Sequence, residues 1–168
     1  MAAPQGTVRA REHDKTITFQ VMGRATMTHS LPLRRYAEQG LAGGATALRV
    51  ELRYCVYMDS TFLGTLLNLK RARGREGPVD FALVCPSPEC CRLLHQTGVD
   101  DVFPVVTAEG LSATAWTELP CALEDVNACK RNVVQAHQEL AGVPGPAAEP
   151  FRAVARCLAE AEERERSP

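Results

Sequence analysis

Side chains able to do chemistry are few in this sequence, and most lack the partners that chemistry needs. The run Met58-Asp59-Ser60-Thr61-Phe62-Leu63-Gly64 places a carboxylate beside two hydroxyls. A serine nucleophile requires an activating base and an oxyanion hole, and this run lacks the glycines of a nucleophile elbow. His13, His29, His95 and His137 could each supply a base, and nothing in the sequence selects one. Cys85, Cys90 and Cys91 could bind zinc as thiolates, but adjacent cysteines lack paired ligand spacing and no histidine follows at finger-like distance. Together with Cys55, Cys121, Cys129 and Cys157 they make seven, an odd number, and nothing directs the chain to an oxidising compartment. Reduced, largely buried thiols without metal are expected. No Gly-rich Walker loop is present. The expectation is a cytoplasmic binding protein with neither enzymatic activity nor cofactor.

What remains is Ser60, whose properties depend on the elements that flank it. Upstream, Leu48, Val50 and Leu52 alternate with Arg49, Glu51 and Arg53, the period of a strand with one buried face. Downstream, Leu63, Leu66 and Leu67 recur at helical spacing, and Lys70, Arg71, Arg73 and Gly74 supply the cations and glycine favoured at a helix C-terminus. Ser60 is thus predicted at a helix N-terminus, where unpaired N–H groups and a partial positive charge accommodate an anion. A phosphate on Ser60 would bring about −1.5 to −2 charges beside Asp59 and change a binding surface without refolding the domain. Alternatively, Asp59 or Ser60 is the N-cap of a core helix, and the two readings are compatible.

Around this junction the chain predicts a layered α/β domain. Residues 1–13 read as a flexible leader. Ile17, Phe19 and Val21 mark a strand ending near Gly23, and Ser30 can cap a helix carrying Pro32 in its first turn, with His29 on the surface at that corner. A turn at Gly74 to Pro78 precedes a uniformly apolar strand, Val79 to Val84, suited to the middle of a sheet. Ser87-Pro88-Glu89 starts a helix running to about Thr97, and Val102 to Val105 can form a last short strand. From 107 to 168 the pattern is helical: Leu123, Val126, Val133, Val134, His137 and Leu140 share a face. After Pro144-Gly145-Pro146 comes a second stripe of Phe151, Val154, Leu158 and Ala161, then a charged tail from Glu162 to Pro168, predicted to fray. These helices cover the domain's own surface or present a face to a partner.

With 168 residues, 45% of them hydrophobic, one core plus an appendage is expected. Nineteen basic against 20 acidic residues leave a net charge of −1, too little field to attract nucleic acid or an anionic membrane. No window approaches the ~20 apolar residues of a membrane span.

The run Tyr57 to Leu67, the segment Val84-Cys85-Pro86-Ser87-Pro88-Glu89 and the block Thr97-Gly98-Val99-Asp100-Asp101-Val102-Phe103-Pro104-Val105 follow one another in an order that resembles the STAS domain of anti-sigma factor antagonists. The resemblance spans residues 14–106 and implies a small mixed sheet with packed helices, here followed by C-terminal helices. It also implies that Ser60 is the site phosphorylated by a serine kinase of the anti-sigma factor type, with Asp59 as its acidic neighbour and Thr61 on the same partner surface. The implied cycle has the unphosphorylated protein occupy the kinase and a serine phosphatase restore it. Two positions differ from the common family pattern: Phe62 stands in place of a glycine and Thr26 in place of an acidic residue near the phosphorylation site. Both are expected at the partner-binding surface, Phe62 as a specificity determinant. A constitutive scaffold or subunit of a signalling or transport assembly, and a small-ligand carrier, remain as alternatives.

Overall fold

Two-residue periodicity organises the centre of the molecule. The computed structural model describes residues 5–107, 115–121 and 125–167. In it β1 (Thr7–His13) turns into β2 (Thr16–Ala25), and α1 (Met27–Ala42) crosses to β3 (Ala47–Met58). Then α2 (Ser60–Lys70) and the small hairpin β4 (Arg73–Gly74) with β5 (Gly77–Pro78) lead to β6 (Asp80–Val84), and α3 (Pro88–Gln96) leads to β7 (Val105–Val106). β8 (Thr117–Glu118), α4 (Val126–Ala141), a 3-10 turn at Pro146–Ala148 and α5 (Glu149–Arg166) follow. Six strands make one mixed sheet in the order β7-β6-β3-β2-β1-β8; β2, β3, β6 and β7 run parallel, and β1 is antiparallel to both neighbours. The expected α/β class with a small mixed sheet and C-terminal helices is the observed one.

Register sorts the side chains into two faces. Ala10 stands opposite Phe19, Phe19 opposite Val50, and Val50 opposite Leu83, so one face is apolar across four strands. Leu33 and Ala37 of α1 and Leu63, Leu66 and Leu67 of α2 join these residues in a single core. On the reverse face Arg9 stands opposite Gln20 and Gln20 opposite Glu51. There Arg9 Nε donates to Gln20 Oε1 at 2.6 Å and Gln20 Nε2 donates to Glu51 Oε2 at 2.8 Å. This pairing is what allows a carboxylate to be only 2% exposed.

Several expectations are corrected. The leader assigned to residues 1–13 is, from Thr7 on, strand β1. Its sole apolar residues, Val8 and Ala10, are buried on the core face, and β2 completes the hairpin through Asp14 and Lys15, both at positive φ as a two-residue primed turn requires. The arginines that made the segment read as polar lie beside Trp116, with Arg9 Cζ 4.8 Å and Arg11 Cζ 4.9 Å from its ring, next to β8. β2 continues past Gly23 to Ala25, and α1 starts at Met27 with Thr26 as N-cap, so Ser30 is a buried helical residue whose Oγ donates to Thr26 O at 3.1 Å. The last parallel strand is β7, shifted towards Val106. The segment from Glu162 is helical to Arg166 rather than frayed, and Leu123 lies outside the described residues. Among the described residues no helix is long and apolar enough to cross a membrane.

Candidate functional site

Asp59 joins the starts of two helices. Its Oδ1 accepts from Phe62 N at 2.8 Å, the N-cap bond of α2, and its Oδ2 accepts from Met27 N at 2.8 Å in the first turn of α1. Its own N–H donates to Ala25 O at 3.0 Å, fixing the junction to the end of β2. One carboxylate thus satisfies orphan donors of both helices. With capping done by Asp59, the Ser60 hydroxyl is free for another role. Asp59, Ser60 and Thr26 are all half-buried at this corner.

His29, expected at the surface, is only 4% exposed. Its Nδ1 accepts from Thr26 N at 3.1 Å and its Nε2 lies 2.9 Å from Gly6 O, so the proton sits on Nε2 and donates to that carbonyl. It is a structural tie between α1 and the segment leading into β1.

Helix α4 lies over α2 and brings His137 to Ser60. His137 Nδ1 is 2.8 Å from Val133 O, one turn earlier in the same helix, and a carbonyl can only accept. Nδ1 therefore carries the proton, and in the neutral ring Nε2 accepts from Ser60 Oγ–H at 3.0 Å. Asn132 Nδ2 donates to Thr65 Oγ1 at 3.2 Å. Glu139 accepts from Asn68 Nδ2 at 3.2 Å and from Arg71 Nη1 at 2.6 Å. Arg34 of α1 donates to Asn132 Oδ1 at 3.2 Å and to Gln135 Oε1. Between these polar contacts Gly64 meets the α4 backbone so closely that a Cβ there would stand 2.1 Å from Ala136 O. Asp125 caps α4 by accepting from Ala128 N at 2.9 Å; that bond, with Arg35 beside it, holds its carboxyl below the usual range. Helix α4 thus covers the domain's own surface, and the surface it covers includes Ser60, whereas α5 buries no residue and Val154 of its stripe is exposed.

Two expected partner-facing residues face the interior. Phe62 is 0% exposed and Thr61 6%. Phe62 is in the first turn of α2 and packs into the core with Leu63, Leu66 and Leu67, because a helix seated on a sheet turns its bulky side chain inward. Phe62 as a surface specificity determinant is therefore corrected to a core residue, and Thr61 lies beneath the surface. His137, Asn132 and Glu139 were missed as site residues. His137 was legible as part of a helical stripe, but its serine is 77 residues away in sequence.

Among the described residues, which include all seven cysteines, no disulfide is formed. Cys55, Cys90 and Cys129 are buried, whereas Cys91, Cys121 and Cys157 are exposed, so the thiols are less buried than expected. A hydrogen bond from Cys55 lowers Cys90 to about 7, and the same contact together with burial raises Cys55. Among the described residues no group of three His, Cys, Asp or Glu side chains could hold a metal ion.

The family whose sequence description matches the chain is "Mlab, STAS domain", over residues 8–107. No curated protein sequence matches. Among solved structures, an anti-sigma factor antagonist from Mycobacterium paratuberculosis is 26% identical, with a TM-score of 0.51 over 62% of this chain and 89% of that one. The anti-sigma factor antagonist SpoIIAA of Bacillus, in its unphosphorylated form, is 18% identical with a TM-score of 0.51, over 61% of this chain and 88% of that one, a likeness of fold. Neither alignment accounts for the whole chain, which carries α4 and α5 beyond the matched family region.

Proposed function

This chain belongs to the STAS-domain family, and from that premise we propose that it is a protein-binding module of the anti-sigma factor antagonist kind, switched by phosphorylation of Ser60. The partner is a serine kinase of the anti-sigma factor type, which binds the unphosphorylated chain, and a serine phosphatase reverses the modification. The chain itself contributes no catalysis and no nucleotide site. The observation that carries this reading is the division of labour at the helix junction: Asp59 caps α2, and half-buried Ser60 is left with a hydroxyl that no backbone bond requires. A phosphate there adds charge and a desolvation cost at a contact that was neutral. Thr26 and Asp59 border the same corner and complete the surface a partner meets.

The test is intact-mass measurement of protein recovered from its native cells, followed by fragment spectra. Phosphate on Ser60, lost in Ser60→Ala, is the expected result. Phosphate on Thr61 instead, or none under any growth condition, removes the proposal. A second reading, a constitutive subunit of a larger assembly, draws on the α4 cover over Ser60, since a hydroxyl already paired with His137 can serve structure alone. It expects unmodified Ser60 in cells together with a stable complex that Ser60→Ala leaves intact.

A further inference from the structure

His137 belongs to the C-terminal helices rather than to the matched family region, yet it holds the Ser60 hydroxyl. We propose that His137 reads the phosphorylation state of Ser60: the neutral hydrogen bond of the unmodified chain gives way to a charge-assisted bond to the phosphate, which clamps α4 over α2 and closes that face. The proposal rests on the phosphorylation reading above and assigns the C-terminal helices a part in it.

The geometry leaves His137 one free valence. Its Nδ1–H is committed to Val133 O at 2.8 Å, so only Nε2 faces Ser60, 3.0 Å from Oγ. In the kinase reaction an Oγ–P bond forms, the bond from the γ-phosphorus of ATP to ADP breaks, and the hydroxyl proton leaves to the kinase's base or to water. Oγ then has no hydrogen to donate. Phosphate oxygens, one bond further out, come within reach of Nε2 once the phosphoryl group turns to the open side of half-buried Ser60. Nε2 binds them as a donor after taking the proton of the phosphate monoanion, which leaves a phosphate dianion paired with an imidazolium.

The surroundings favour this pair. The N-termini of α1 and α2 converge at Asp59, and their partial positive charges lie beside the added anion. Asp59 opposes it, but its two oxygens already accept from Met27 N and Phe62 N. His137 is in the second half of α4, towards the helix end that favours a cation. The rest of the α4 seat combines buried apolar residues, Val134, Ala136 and Leu140, with hydrogen bonds from Asn132 to Thr65 and from Asn68 and Arg71 to Glu139. To the charge-assisted bond that Arg71 already makes to Glu139, the phosphate adds a second, roughly twice as strong as the neutral bond it replaces.

The test uses the full chain with phosphoserine installed at position 60 by genetic-code expansion, compared with the unmodified chain by amide hydrogen exchange. Phosphoserine is expected to slow exchange across α4 by about tenfold, the difference between a neutral and a charge-assisted hydrogen bond, while exchange in β2 and β3 is unchanged. His137→Ala abolishes the slowing, and His137→Gln, which keeps both a donor and an acceptor, retains part of it. Faster exchange of α4 on phosphorylation, meaning that the phosphate expels the helix, overturns the proposal. Slowing that persists in His137→Ala also overturns it. Should His137→Ala already free α4 without phosphate, His137→Gln and the wild-type chain carry the comparison. Because the phosphate is installed, failure of the clamp leaves natural phosphorylation standing, and absence of phosphate in native cells leaves the clamp chemistry standing.

Discussion

Replacing Gly64 with alanine separates the stability of α2 from the seating of α4. Within an isolated helix the change is favourable by about 1 kcal/mol, because alanine loses less backbone entropy than glycine. Here the new Cβ would lie 2.1 Å from Ala136 O, 2.5 Å from its C and 2.7 Å from its Cα, all backbone atoms that cannot rotate away. α4 must retreat by about 1 Å to restore ordinary contact, which stretches 3.0–3.2 Å bonds beyond hydrogen-bonding length. The bonds at risk are Ser60–His137, Thr65–Asn132 and Asn68–Glu139. At a net 0.5–1.5 kcal/mol each, their loss costs roughly 2–4 kcal/mol and outweighs the propensity gain. Gly64→Ala should therefore loosen α4 and leave the sheet intact. Hydrogen exchange should report at least about tenfold faster exchange across α4, with β2 and β3 amides unchanged. A variant more stable by about 1 kcal/mol with α4 protected as before would refute the argument, since it would mean that α4 does not rest on Gly64.

Phe62→Ala should lower the unfolding free energy in urea by about 3–5 kcal/mol, the cost of emptying a fully buried aromatic site; a loss below ~1 kcal/mol would return Phe62 to the surface. His95 and Asp100, 2.8 Å apart, form an exposed pair that raises the histidine's pKa above its ordinary 6.5 and lowers the carboxyl's below 3.8. Their contribution is complete between those two ordinary values, and is lost as pH rises through the raised His95 pKa or falls through the lowered Asp100 pKa. An NMR titration should place His95 above 6.5 and Asp100→Asn should bring it back; an unchanged midpoint in the variant would show that the pair does not form in solution.

The sequence by itself determined the elements whose signals are local. The change from two-residue to helical periodicity at Met58–Ser60, and the Ser87-Pro88-Glu89 start of α3, lie within a few residues of the caps that Asp59 and Ser87 provide. The ordered blocks from Tyr57 to Val105 carried the family in the same way. Where a side chain's environment comes from another element, the signal was missing. β1 has only Val8 and Ala10 on its core face and becomes a strand because β2 pairs with it along its whole length. Phe62 differs from the family's glycine, and only the packing of α2 on the sheet decides that the ring fills the core. His29 was legible as a residue near a helix start, but its burial depends on Gly6 O, brought there by the sheet. The pairing of Ser60 with His137 was decided only by tertiary structure: an amphipathic stripe says that a helix must cover something, and shape and polar complementarity across α2 and α4 choose what it covers.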